Sequence, residues 1–122
     1  MEREPAKTFE DLVMWQKSHQ FVLQVYKYTR SFPSEEMYGL TSQFRRASVS
    51  IAANIAEGFK KKGVKDKARF LNIAYGSAEE CKYYLILSKD LNYGNNENLL
   101  EILTEVTKMI QSYSSTILNS KF

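Results

Sequence analysis

A single cysteine, Cys81, rules out an intramolecular disulfide and any cysteine-rich zinc site in this chain. A single histidine, His19, would leave histidine-paired catalysis resting on one residue. Two prolines and five glycines are too few for the many tight turns of an all-β sandwich. There is no run of about 18 apolar residues, so no membrane span is expected. The opening MEREPAKTFE lacks the apolar core of a secretory signal, which points to the cytoplasm. What is present is an ordinary globular mixture, 43% apolar and 25% charged, over 122 residues. That is the length of one domain, expected to span residues 1–122.

Few breaks interrupt the chain, and they divide it into four. Pro33-Ser34, the stretch Gly58 to Gly63, and Tyr93-Gly94-Asn95-Asn96 separate segments rich in helix formers, each apolar at spacings of three and four. The pattern predicts helix 1 over Phe9–Thr29, helix 2 over Ser34–Phe59, helix 3 over Val64–Leu91 and helix 4 over Asn96–Leu118. Ser34 and Asn96 are the expected N-caps of helices 2 and 4. Short connections favour antiparallel neighbours, so the expected fold is an all-α, up-down-up-down four-helix bundle.

The apolar faces of these helices are unequal. Helix 4 carries one stripe, Leu99, Ile102, Leu103, Val106, Met109, Ile110, Tyr113 and Ile117, and covers a single core. Helix 1 carries two. Leu12, Trp15, Val22, Leu23 and Tyr26 share one side, and Met14, Phe21, Val25 and Tyr28 form another about 130° away. Helix 3 has a main stripe (Phe70, Ile73, Ala74, Cys81, Tyr84, Leu85, Leu91) and the outliers Tyr75, Tyr83 and Ile86. One core cannot bury both faces of both helices, and surplus apolar surface marks an interface. In a ring of four successive helices, helices 1 and 3 are diagonal, so their outer faces point apart. Met14, Phe21, Val25 and Tyr28 of one copy, meeting Tyr75, Tyr83 and Ile86 of the next, would give a head-to-tail contact able to close a ring. The plainer alternative is half-exposed surface aromatics.

Helix 2 is rich in small residues (Ala47, Ser48, Ser50, Ala52, Ala53, Ala56), which admit close helix packing. Beside its apolar stripe of Leu40, Phe44, Ala47, Ile51 and Ile55 runs a polar one: Gln43, Arg46, Ser50, Asn54 and Glu57. This is the expected polar layer between helices or subunits, where partly buried charges need partners. No constellation supports catalysis. His19 has no Glu three residues before it, as a di-iron bundle would require. The pairs Glu35-Glu36 and Glu79-Glu80 are adjacent and point to different sides of a helix. There is no Gly-rich phosphate loop and no Gly-x-Ser-x-Gly turn. Cys81 is expected to be a small core hydrophobe, and His19 to lie among Trp15, Val22 and Tyr26 with a hydrogen-bond partner. Neither a metal nor a cofactor is expected.

Charge of one sign is concentrated in one place. From Gln43 to Arg69 there are eight bases and two acids, while the rest of the chain is mildly acidic. Lys60, Lys61, Lys62, Lys65, Lys67 and Arg69 crowd the turn between helices 2 and 3, with Arg45 earlier on helix 2. Such a cluster gives salt-sensitive binding to phosphates without sequence preference, and a symmetric ring would repeat it around one end. With no aromatic residue inside the run, base-specific readout is not indicated. A solvated loop is the alternative.

The stretch FPSEEMYGLTSQFRRASVSIAANIAEG (32–58), with FEDLVMWQK (9–17) and FLNIAYGS (70–77), resembles the bacterial four-helix bundle family encoded in intervening sequences of large-subunit ribosomal RNA genes. The likeness covers almost the whole chain. Two departures are Ala52, where relatives often carry proline, and Cys81, where leucine is common. Arg45, Arg46, Asn54 and Glu57 match the family motif. The resemblance implies an all-α bundle without enzymatic activity. Through the related accessory proteins of diversity-generating retroelements, it implies a pentameric, nucleic-acid-binding barrel that partners a reverse transcriptase. The expectation is therefore a cyclic homo-oligomer that binds nucleic acid, RNA ahead of DNA, through the basic turn. The rival is a structural adaptor that docks a protein partner, its lysines serving solubility.

Overall fold

The computed structural model describes residues 5–119, and among these there are four long helices and no strand. They are α1 (Val13–Thr29), α2 (Leu40–Lys60), α3 (Val64–Asp90) and α4 (Glu97–Leu118). Each helix packs on its neighbours in a ring, α1 on α2, α2 on α3, α3 on α4 and α4 on α1, leaving α1 and α3 diagonal. Contacts descend one helix as they ascend the next. Gln43 meets Tyr84, Ser50 meets Ser77, and Gly58 meets Lys67, so α2 and α3 run antiparallel. Likewise Gln111 bonds Tyr75 near one end of the α3–α4 pair and Asn96 bonds Leu85 near the other.

The helix starts differ from expectation for local reasons. Phe9–Asp11 forms a separate 3-10 turn, because the Asp11 carboxylate accepts the amides of Lys7 and Thr8 at 2.9 and 3.0 Å. Those two bonds hold the Asp11 carboxyl below its usual range, Thr8 contributing most. Ser34 also opens only a 3-10 turn, Ser34–Glu36. It is Glu36 that reaches the first amide of α2, accepting from Leu40 at 3.2 Å, while its other oxygen takes the Tyr93 hydroxyl at 2.8 Å. Asn96 does not cap α4 with its side chain. The amide turns inward and donates to the Leu85 carbonyl at 2.7 Å, and Asn95 Oδ1 accepts from Glu97 instead.

One contiguous core fills the ring. The stripes of α2 and α4 enter it as expected: Leu40, Phe44, Ala47, Ile51 and Ile55 are buried, as are Leu99, Ile102, Leu103, Val106 and Ile110. In α1 both expected faces contribute to the core, Val22 being buried and Leu12 and Trp15 packed against it. Met14, Phe21 and Val25, expected on an outer interface, are buried in the core, and Tyr28 is half-buried with its hydroxyl 2.9 Å from Ser88 Oγ. Leu23 (57% exposed) and Tyr26, expected inside, face outward. A pair of hydroxyl residues completes the inner face. Ser18 and Thr29 are buried because each donates to its own helix, Ser18 to the Met14 carbonyl and Thr29 to that of Val25, both at 2.8 Å. Satisfied in this way, a serine or threonine sits in a core at little cost. No buried side-chain nitrogen or oxygen among the described residues lacks a partner.

Phe21 is fully buried, so Phe21→Ala should lower the unfolding free energy by about 3–5 kcal/mol. Urea denaturation monitored by circular dichroism measures this. A change within error would contradict the inward assignment of this face.

Candidate nucleic-acid interface

The basic turn is built from the helices upward. Helix α2 ends at Lys60 and α3 begins at Val64, so only Lys61, Lys62 and Gly63 connect them. A connection this short requires α2 and α3 to approach closely, and Gly58 permits it. A Cβ at Gly58 would stand 3.1 Å from the Cβ of Phe70. The approach brings Lys67, in the first turn of α3, onto the last carbonyls of α2. Its ammonium donates to Phe59 O at 2.8 Å and Gly58 O at 3.3 Å. A cation at a helix C-terminus satisfies carbonyls that the helix itself leaves open.

The other cations fall into two groups. Lys61 lies 3.9 Å from Glu57 and 5.2 Å from the Phe70 ring centre, and Arg69 lies 3.9 Å from Asp66 and 4.8 Å from the same ring. These two are held by the protein. Lys60, Lys62 and Lys65 are exposed and make no hydrogen bond or ion pair among the described residues. The tip thus presents three free cations beside three that are engaged. Phe59 and Phe70, which bracket the lysine run, also belong to this site, which charge alone does not indicate. The signal was their position, one residue before the run and one after it.

Arg45 does not join them. It stands fifteen residues before Lys60 on α2, roughly 22 Å along the helix at about 1.5 Å per residue. There its guanidinium donates to Thr29 Oγ1 at 2.8 Å and stacks 4.7 Å from the centre of Tyr26. It ties the end of α1 to α2.

Residues 10–114 match the profile of the family described as 23S rRNA-intervening sequence protein. The chain belongs to that family. It is also similar to a solved structure, a protein of unknown function from Bacteroides thetaiotaomicron assigned to the S23 ribosomal protein family. The two share 29% identity with a TM-score of 0.75, over 85% of this chain and 96% of the other. Among curated proteins nothing matches.

The polar layer is a seam between α2 and α3. Ser50 and Ser77 share a hydrogen bond of 2.8 Å, Asn54 donates to Ser50, and Gln43 accepts the Tyr84 hydroxyl at 3.2 Å. Arg46 and Glu57 are exposed outside that seam. Among the expected interface residues of α3, Tyr83 and Ile86 face outward, while Tyr75 is half-buried and accepts from Gln111 at 3.0 Å. His19 is exposed and lies flat on Trp15, ring centres 5.0 Å apart and planes 6° apart, rather than inside with a hydrogen-bond partner. Cys81 is fully buried, and burial pushes its thiol well above the usual range. Among the described residues no group of three His, Cys, Asp or Glu is placed to hold a metal ion, and no helix is long and apolar enough to cross a membrane.

Lys67 acts as a cap, which separates it from its free neighbours in a stability measurement. Lys67→Met should lower the urea-unfolding free energy by about 1 kcal/mol. Lys62→Met should leave it unchanged, and equal effects would remove the distinction.

Proposed function

We propose that this protein is a cytoplasmic, non-enzymatic bundle that self-associates and binds RNA through phosphate contacts at the α2–α3 tip. The observation that carries the reading is the state of Lys60, Lys62 and Lys65. They are three exposed cations without partners among the described residues, on a turn whose other three cations are already engaged. Unpaired cations held close together attract a polyanion, and the binding this produces does not depend on base sequence.

Self-association is favoured by apolar side chains on diagonal helices. Leu23 on α1 and Ile86 on α3 are 57% and 50% exposed, and a head-to-tail contact between such faces closes into a ring. The interface residues are thus revised for α1, from the Met14–Phe21–Val25 face to Leu23 and Tyr26, and kept for α3 at Tyr83 and Ile86. A five-membered ring is the number the family resemblance implies. A second reading, an adaptor for a protein partner such as a reverse transcriptase, is favoured by Tyr38. That side chain is 96% exposed at the end of the bundle opposite the basic tip.

Replacing Lys60, Lys62 and Lys65 together by glutamate should weaken RNA binding by about 100-fold while the helical circular dichroism is unchanged. Fluorescence anisotropy with a labelled RNA measures it, and wild-type affinity in the variant would overturn the proposal. Light scattering tests assembly separately. Leu23→Glu combined with Ile86→Glu should yield folded monomers, and an unchanged particle mass would place the contact elsewhere.

A further inference from the structure

The aromatic rings at the tip bear on which form of nucleic acid it takes. Proteins that hold unpaired strands place bases on open aromatic faces. Phe59 and Phe70 are the aromatic residues of the tip, both half-buried, and a cation stands over each. The Lys67 ammonium is 5.5 Å from the centre of Phe59, and Lys61 and Arg69 are 5.2 and 4.8 Å from that of Phe70. A ring face covered by the protein's own cation does not stack a base.

Groups that read base edges are equally committed. Between Glu57 and Phe70 there is no Asn, Gln, Ser, Thr, Tyr or His. The two carboxylates of the segment, Glu57 and Asp66, each have a cation of the segment 3.9 Å away, Lys61 and Arg69 respectively. What is left for a ligand is three exposed ammonium groups without partners among the described residues, Lys60, Lys62 and Lys65. Such a surface responds to phosphate density alone. A DNA duplex carries a charge about every 1.7 Å of its axis and one of its strands only about every 3.4 Å, and pairing likewise brings a second row of phosphates to RNA.

Resting on the RNA-binding reading above, we propose that the tip takes double-stranded RNA by its backbone phosphates and discriminates against unpaired strand. The rings Phe59 and Phe70 then serve to hold cations and make no contact with bases.

The test uses the full-length protein and fluorescence anisotropy at about 50 mM salt. The probes are a 20-base-pair RNA duplex and an unstructured single strand of equal length. The duplex is expected to bind about 10-fold tighter and to do so whatever its sequence. Raising the salt to about 200 mM should weaken the duplex about 40-fold and the strand about 20-fold, for three contacts from one protomer. Phe70→Leu, which keeps an apolar side chain against Gly58, is expected to leave both affinities within about twofold. Tighter or equal binding of the single strand overturns the inference, as does selective loss of strand binding in Phe70→Leu with the fold intact. Failure of both probes to bind overturns the RNA-binding reading itself and this inference with it.

Discussion

The basic tip depends on the close approach of α2 and α3 at Gly58. With no side chain there, Phe70 packs against the end of α2 and a three-residue connection suffices. The same approach lets Lys67 cross from one helix to the carbonyls of the other. With Lys67 on those carbonyls and Lys61 and Arg69 beside Glu57 and Asp66, the cations of the turn left without a partner among the described residues are Lys60, Lys62 and Lys65. Three unpaired cations close together on one turn suit the binding of a polyanion.

The four helices were legible in the sequence because three- and four-residue periodicity survives any single misplaced side chain. Their exact starts were not. Thr8 with Asp11, and Glu36 ahead of Leu40, set the true boundaries through local side-chain-to-backbone bonds three and four residues apart, which apolar periodicity does not register. The burial of Met14, Phe21 and Val25 on α1 was also not legible. Counting large apolar residues favoured the side with Leu23 and Tyr26, which face outward, whereas the buried side contains Ser18 and Thr29. Their hydroxyls are satisfied one turn back along the helix, so polarity in the sequence did not mean polarity toward solvent.

The basic cluster was legible as charge but not as geometry. Arg45 shares α2 with Lys60, yet helix rise puts them at opposite ends of the bundle. Lys67 reads like any other lysine of the run until its ammonium is seen on two carbonyls. The division into engaged and free cations belongs to the fold, because it depends on which of them meet Glu57, Asp66, Phe59 or Phe70. The polar residues of α2 divide in the same way. Ser50, Asn54 and Gln43 serve the α2–α3 seam, while Arg46 and Glu57 do not.

The most direct test of phosphate binding at the tip is lysine footprinting. The protein would be acetylated with and without bound RNA and each lysine followed by mass spectrometry. Protection of Lys60, Lys62 and Lys65 is predicted, with exposed lysines on the helix flanks, Lys27, Lys82 and Lys89, reacting at unchanged rates. Protection of the flank lysines in place of the three at the tip would contradict the account.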